Sequence, residues 1–122
     1  NVEEWGIREP MPGGVFPAPA GATPIPDMPN WDWHEYGMQV RFLALEAALD
    51  KHTDGGWEFM GHGFTQKALN LVNNEQAMIQ QSIDTIRDFT GKPPRGWLGP
   101  GLMEACDTLE ILAAEGIEYV CD

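Results

Sequence analysis

Two stretches, Trp57-Glu-Phe-Met-Gly-His-Gly-Phe-Thr-Gln66 and Pro93-Pro-Arg-Gly-Trp-Leu-Gly-Pro-Gly101, decide how this chain is read. Each holds a short apolar run that ends in a glycine-flanked polar or proline turn. Each is followed by a helix-like segment. Residues 57–60 and 96–98 are therefore strand candidates. In a parallel β/α protein, residues just past the C-terminal end of a strand line the active site. His62 and the Gly99-Pro100-Gly101 turn stand at such places.

Working outward, Ile79, Ile83, Ile86 and then Phe89 or Thr90 recur at helical spacing. Asn73 or Asn74 can cap the start of this helix, and Gly91 ends it, with Pro93 and Pro94 beyond. Downstream, Asp107-Thr-Leu-Glu110 has capping-box spacing, with Asp in place of Ser or Thr. The helix it starts runs through Leu109, Leu112 and Ala113 to Gly116, and residues 117–121 then read as a strand. Upstream, Val40, Leu43, Ala47 and Leu49 share one face of a helix predicted over 37–51. Phe42 and Leu45 broaden that stripe, which predicts a well-buried helix, although Arg41 and Glu46 interrupt it. His52-Thr-Asp-Gly-Gly56 breaks it.

Seven of the ten prolines lie between Pro10 and Pro29, which excludes a helix or central strand there. A long surface loop over 6–30 is expected, after a short opening strand near residues 1–3. Trp31, Trp33 and Tyr36 follow at the loop exit, as one wall of a pocket or as a hydrophobic plug. Helices alternating with short apolar strands predict an α/β fold, a parallel sheet with helices packed on it.

The chain has 122 residues, enough for one domain with one core. It is 43% hydrophobic and 21% charged, a globular composition. The formal net charge of −12 would repel a polyanion, and no basic stripe forms, so nucleic acid is not an expected partner. An acidic surface confers solubility and suits a small neutral substrate. No apolar run is long enough to span a bilayer, and no basic start precedes an apolar stretch. Cys106 and Cys121 have no CxxC spacing, which points to a reducing cytosol, with Cys121 expected as a buried inert thiol. No base stands near Cys121 in the sequence to make it a nucleophile.

His62, between Gly61 and Gly63, is the leading chemical candidate. Its imidazole suits acid/base work or metal ligation, and small neighbours let a ligand approach the backbone. A structural histidine is the alternative. Glu3 could bind a metal, act as a base or orient His62, or be no more than a solvated acid. Gln66 can hydrogen-bond but is a poor metal ligand. No HxxH, HExxH, GxSxG, P-loop or GxGxxG pattern is present.

The chain resembles the polysaccharide deacetylase (NodB-homology) family, and within it the allantoinase-like branch of cyclic-amide hydrolases. The resemblance rests on Asn1-Val-Glu-Glu-Trp5, Trp31-Asp-Trp-His-Glu-Tyr-Gly37, Gly56-Trp-Glu-Phe-Met-Gly-His-Gly63, Thr90-Gly-Lys-Pro-Pro-Arg-Gly-Trp-Leu-Gly-Pro-Gly-Leu102 and Glu115-Gly-Ile-Glu-Tyr-Val-Cys-Asp122. It implies a partial (β/α) barrel, parallel strands inside and helices outside, that hydrolyses a carbon–nitrogen bond other than a peptide bond. It also implies an incomplete copy, with a strand–helix unit missing near 52–56 and further strands beyond Asp122.

Asn1 falls where the family's metal-using members carry an aspartate base, and Glu3 where they carry an aspartate ligand. His62 and Gln66 fall at the two histidine positions. Asn cannot act as a base and Gln replaces an imidazole, so a zinc site is disfavoured and no cofactor is expected; a divalent metal at Glu3 and His62 is the alternative. The resemblance thus implies Glu3 and His62 as catalytic residues. It implies Asn1, Glu35, Gln66, Trp97, Gly99 and Pro100 as substrate contacts, for a small cyclic ureide or imide such as allantoin. The competing readings are a metal-dependent deacetylase of N-acetylated sugars and a non-catalytic remnant that binds a ligand or partner. A homo-oligomer is left open.

Overall fold

A computed structural model describes residues 4–18, 21–53 and 56–122, and the chain divides by contacts into two units, Val2–Trp57 and Glu58–Asp122. The strand expected at residues 1–3 lies outside the described residues.

In the first unit the Asp27 side chain caps helix α1 (Met28–Tyr36), accepting from the Asn30 amide at 3.4 Å. Pro29 sits in the first turn, where a missing N–H is no loss. The last proline of the rich stretch therefore opens a helix instead of closing a loop. The chain continues through a π-helical turn, Gly37–Arg41, into α2 (Phe42–Thr53). Helical structure thus begins well before residue 37, and Trp31, Trp33 and Tyr36 stand on α1, not at a loop exit.

The expected burial of this helix is not found. Val40, Leu43 and Leu45 are each more than half exposed, because an apolar stripe is covered only where another surface faces it. Arg41 is exposed and lies 5.9 Å over the Tyr36 ring, a cation–π contact.

Polar groups hold the preceding segment. Asn30 is buried, and its Oδ1 accepts from Val15 N at 2.8 Å and Phe16 N at 2.9 Å. Its Nδ2 donates to Asp27 Oδ2 at 2.8 Å and to Phe16 O at 3.1 Å. Trp5 stacks on His34 at 4.2 Å, and the Trp31 indole N–H donates to the Trp5 carbonyl at 3.2 Å.

The second unit is mixed helix and strand around a small parallel sheet, compatible with an α/β class. Strand β1 (Gly96–Trp97) pairs in parallel with β2 (Tyr119–Val120), Gly96 opposite Tyr119 and Trp97 opposite Val120. On the other side of β1, Gly61 forms a parallel bridge to Trp97. Its N–H donates to Gly96 O, and its carbonyl accepts from Leu98 N, both at 2.9 Å. Among the described residues this segment, just past the apolar run at 57–60, meets β1 through the bridge at Gly61.

Helix α3 (Glu75–Thr90) lies between the Gly61 segment and β1, and α4 (Thr108–Ala114) between β1 and β2. Parallel neighbours require such crossovers. Asn74 caps α3 by accepting from Ala77 N at 3.0 Å, and Gly91 closes it in the left-handed region at φ 77°.

Leu69, Ile79, Ile83, Trp97, Leu112 and Ile117 form the core, with Met78, Ile111 and Val120 packed against it. Asp107 makes no capping hydrogen bond. The Thr108 hydroxyl instead accepts from Ala105 N at 2.8 Å and donates to the Glu75 carboxylate, tying the starts of α3 and α4 together. Cys121 is exposed, contrary to the buried thiol expected, because it lies past the paired residues of β2.

Candidate functional site

His62, Leu98 and Cys121–Asp122 each follow directly on one of three parallel extended segments, at Gly61, β1 and β2. This is the end of a parallel sheet where ligands bind in open and closed β/α folds alike. The His62 Nδ1 lies 2.6 Å from the Leu98 carbonyl oxygen. A carbonyl can only accept, so Nδ1 carries the proton, and in the neutral ring the lone pair lies on Nε2.

Small residues set the spacing around this ring. A Cβ at Gly61 would collide with the Trp97 indole, which is fully buried. Gly63 has φ +80°, and a Cβ there would stand 2.6 Å from Pro100 Cγ. Glycine is needed at 63 both for its backbone angle and for the approach of the Pro100 ring. The second motif thus rests directly on the third.

The third motif is a 3-10 turn, Pro100–Leu102, entered from extended Gly99. The Gly99 N–H donates to Asp122 Oδ1 at 2.6 Å. Asp122 does not stand out in the sequence, since only the pairing of β2 beside β1 brings it to Gly99. Glu104 is a further acid here. Burial first, then its hydrogen bond with Asp122 and the charges of Asp122 and Glu75, push its carboxyl above the usual range.

Gln66 is half-buried, and its Oε1 is enclosed without a hydrogen-bond partner among the described residues. An enclosed amide oxygen without a donor is a place where a ligand N–H can bind. Trp97 and Pro100 are buried, so Trp97 supports the site from the core and Pro100 covers Gly63. Glu35 belongs to the first unit, where its carboxylate lies 3.4 Å from His34 Nδ1 and accepts from Gln39 at 3.2 Å. Asn1 and Glu3 lie outside the described residues.

At the opposite, N-terminal end of the strands, Arg95 pairs with Glu118 through two contacts of 3.0 and 2.7 Å. This exposed pair raises the Arg95 pKa and lowers that of Glu118, chiefly through the hydrogen bond. Tyr119 donates to Glu58, which pushes the phenol upward. These groups belong to the sheet's surface and not to the His62 end.

A divalent metal needs three or more hard or imidazole donors around one point. Among the described residues no group of three His, Cys, Asp or Glu side chains is arranged to hold one. Around His62 the described donors are one imidazole and, at the second ligand position, an amide. Glu3, the other donor expected at this point, lies outside the described residues.

The chain is similar to a peptidoglycan deacetylase of Helicobacter pylori, at 25% identity over 89 residues. The match covers 71% of this chain but spans about 30% of the length of that relative. No protein-family model matches the chain. The similarity supports a polysaccharide deacetylase-like relationship and does not single out an allantoinase branch. Among the described residues no helix is long and apolar enough to cross a membrane.

Proposed function

We propose that the chain carries the hydrolytic site of a polysaccharide deacetylase-like enzyme that cleaves a carbon–nitrogen bond outside peptides. The observation that supports this most is His62 at the C-terminal end of parallel segments, with Nδ1 bound to Leu98 O. In this reading Nε2 takes a proton from water as the water attacks the substrate carbonyl, and the ring returns it to the departing nitrogen. Glu3 is the second proton-handling group. Gln66 Oε1 accepts a substrate N–H, and the Gly99–Pro100 turn bounds the pocket.

The preferred substrate class is a small cyclic ureide or imide, allantoin being one example, because such rings present an N–H beside the scissile carbonyl for Gln66. No metal is assigned a step. The second reading, removal of acetyl groups from an N-acetylated glycan, is favoured by the activity named for the Helicobacter pylori relative. Turnover of allantoin, hydantoin and succinimide, and of N-acetylglucosamine oligomers, with and without a chelator, separates the two. Chelator-insensitive opening of a cyclic amide is the expected result. Chelator-sensitive acetate release from the sugars alone would establish the second reading. Turnover of neither class would overturn both.

A further inference from the structure

The peptide unit between Leu98 and Gly99 has a hydrogen bond at each end. Its carbonyl accepts from His62 Nδ1 at 2.6 Å, and its N–H donates to Asp122 Oδ1 at 2.6 Å. Both contacts are short, and each comes from a different parallel segment. We propose that Asp122 is a positioning residue for His62, acting through the Leu98–Gly99 peptide to hold the ring as the Nδ1–H tautomer.

The physical argument is polarisation along a chain of hydrogen bonds. A carboxylate on an amide N–H draws that proton and pushes electron density toward the carbonyl oxygen. The oxygen becomes a better acceptor, so the imidazole proton is drawn to Nδ1 and the lone pair to Nε2. A carboxylate bound directly to a histidine does the same in catalytic triads; here one peptide group is inserted between them.

Steric fit leaves room for the link. A Cβ on Gly99 would stand 2.5 Å from Asp122 Oδ2, so the glycine lets the carboxylate sit against this amide as it does. Pro100, the next residue, holds the turn down on Gly63, beside His62. Glu104 shares a hydrogen bond with Asp122, and Glu75 acts on Glu104 in turn. Among the described residues Glu104 is thus a titratable group set against Asp122, with Glu75 acting on it from the start of α3.

The inference deepens the reading of His62 as the proton-handling ring and rests on it, but its test reads the ring directly. Nitrogen-15 NMR of the imidazole, in the neutral ring, gives the share of the Nδ1–H tautomer. In the unmodified chain that form is expected to dominate. In Asp122→Asn the share falls, and in Asp122→Ala it falls further, toward the mixture of an unconstrained histidine, with circular dichroism confirming the fold. An unchanged tautomer share in the folded variants overturns the inference.

The unmodified chain supplies the same answer without substitution. As acid protonates the Glu104 carboxyl set against Asp122, the Gly99 amide proton, the Leu98 carbonyl carbon and the His62 Nδ1 resonance should shift with one midpoint. Movement at Gly99 with none at His62 would also overturn it. Neither readout depends on turnover. A failed hydrolysis assay therefore strikes the enzymatic reading and leaves this one standing, and the converse holds as well.

Discussion

The two units solve the problem of burial differently. In the second, the buried side chains are mostly apolar and come from α3, α4 and the sheet, with Ile79 and Trp97 fully enclosed. In the first, the buried ones among the described residues are Asp27, Asn30 and His34, while Val40, Leu43 and Leu45 of the long helix face outward. Both units carry apolar residues at helical spacing. Among the described residues, only the second places a sheet against them. Periodicity shows which face a helix offers, and a partner surface decides whether that face is buried.

The sharpest way to break this contrast is to cut into each unit. Ile79→Ala should destabilise the second unit by about 2–5 kcal/mol, since it empties a fully buried position. Leu43→Ser, at an exposed position of α2, should stay within about 0.5 kcal/mol. Urea titration followed by tryptophan fluorescence and circular dichroism measures both. Equal losses would show that the exposed stripe of the first unit is covered in solution.

Intermediate in size is the cap of α3. Asn74→Ala removes the acceptor for Ala77 N and should cost about 1 kcal/mol. A loss near zero would mean that water replaces the cap.

A smaller effect sharpens the electrostatics. The Glu104 carboxyl titrates higher in the folded chain than in the unfolded one. The folded state therefore binds more protons, and this group's contribution is full below the ordinary carboxylate range and is lost as pH rises through its raised value. Glu104→Gln, which keeps the neutral form, should leave acid stability unchanged and raise the melting temperature increasingly as pH climbs toward neutrality. A constant difference across that range would contradict the raised titration of the Glu104 carboxyl. The Arg95–Glu118 pair has the opposite sign for its carboxylate. Its contribution is present above the ordinary carboxylate range and fades as pH falls through the lowered Glu118 value.

Much of the second unit was legible because its signals are local. Asn74, the isoleucines of α3 and Gly91 mark a helix without reference to anything distant. Gly61 and Gly63 around His62 mark close approach in the same way. Other features depend on long-range pairing. The bridge to β1 falls at Gly61, just past the apolar run at 57–60, and only the placement of β1 fixes it there. Asp122 acquires its place only when β2 docks beside β1. The start of α1 was legible in principle, from Asp27 and a proline in the first turn, but the density of prolines argued more loudly for a loop. Asp107 has capping-box spacing, yet Thr108 takes up the local N–H by bonding to Ala105 and Glu75.

The most direct test of the central claim, that His62 handles the proton at this site, compares the chain with His62→Gln. Initial rates of cyclic-amide ring opening are followed across pH, with circular dichroism as the control for folding. The account predicts turnover by the unmodified chain and a loss of about 10²–10⁴-fold in the variant. Equal rates in a folded His62→Gln variant would contradict it.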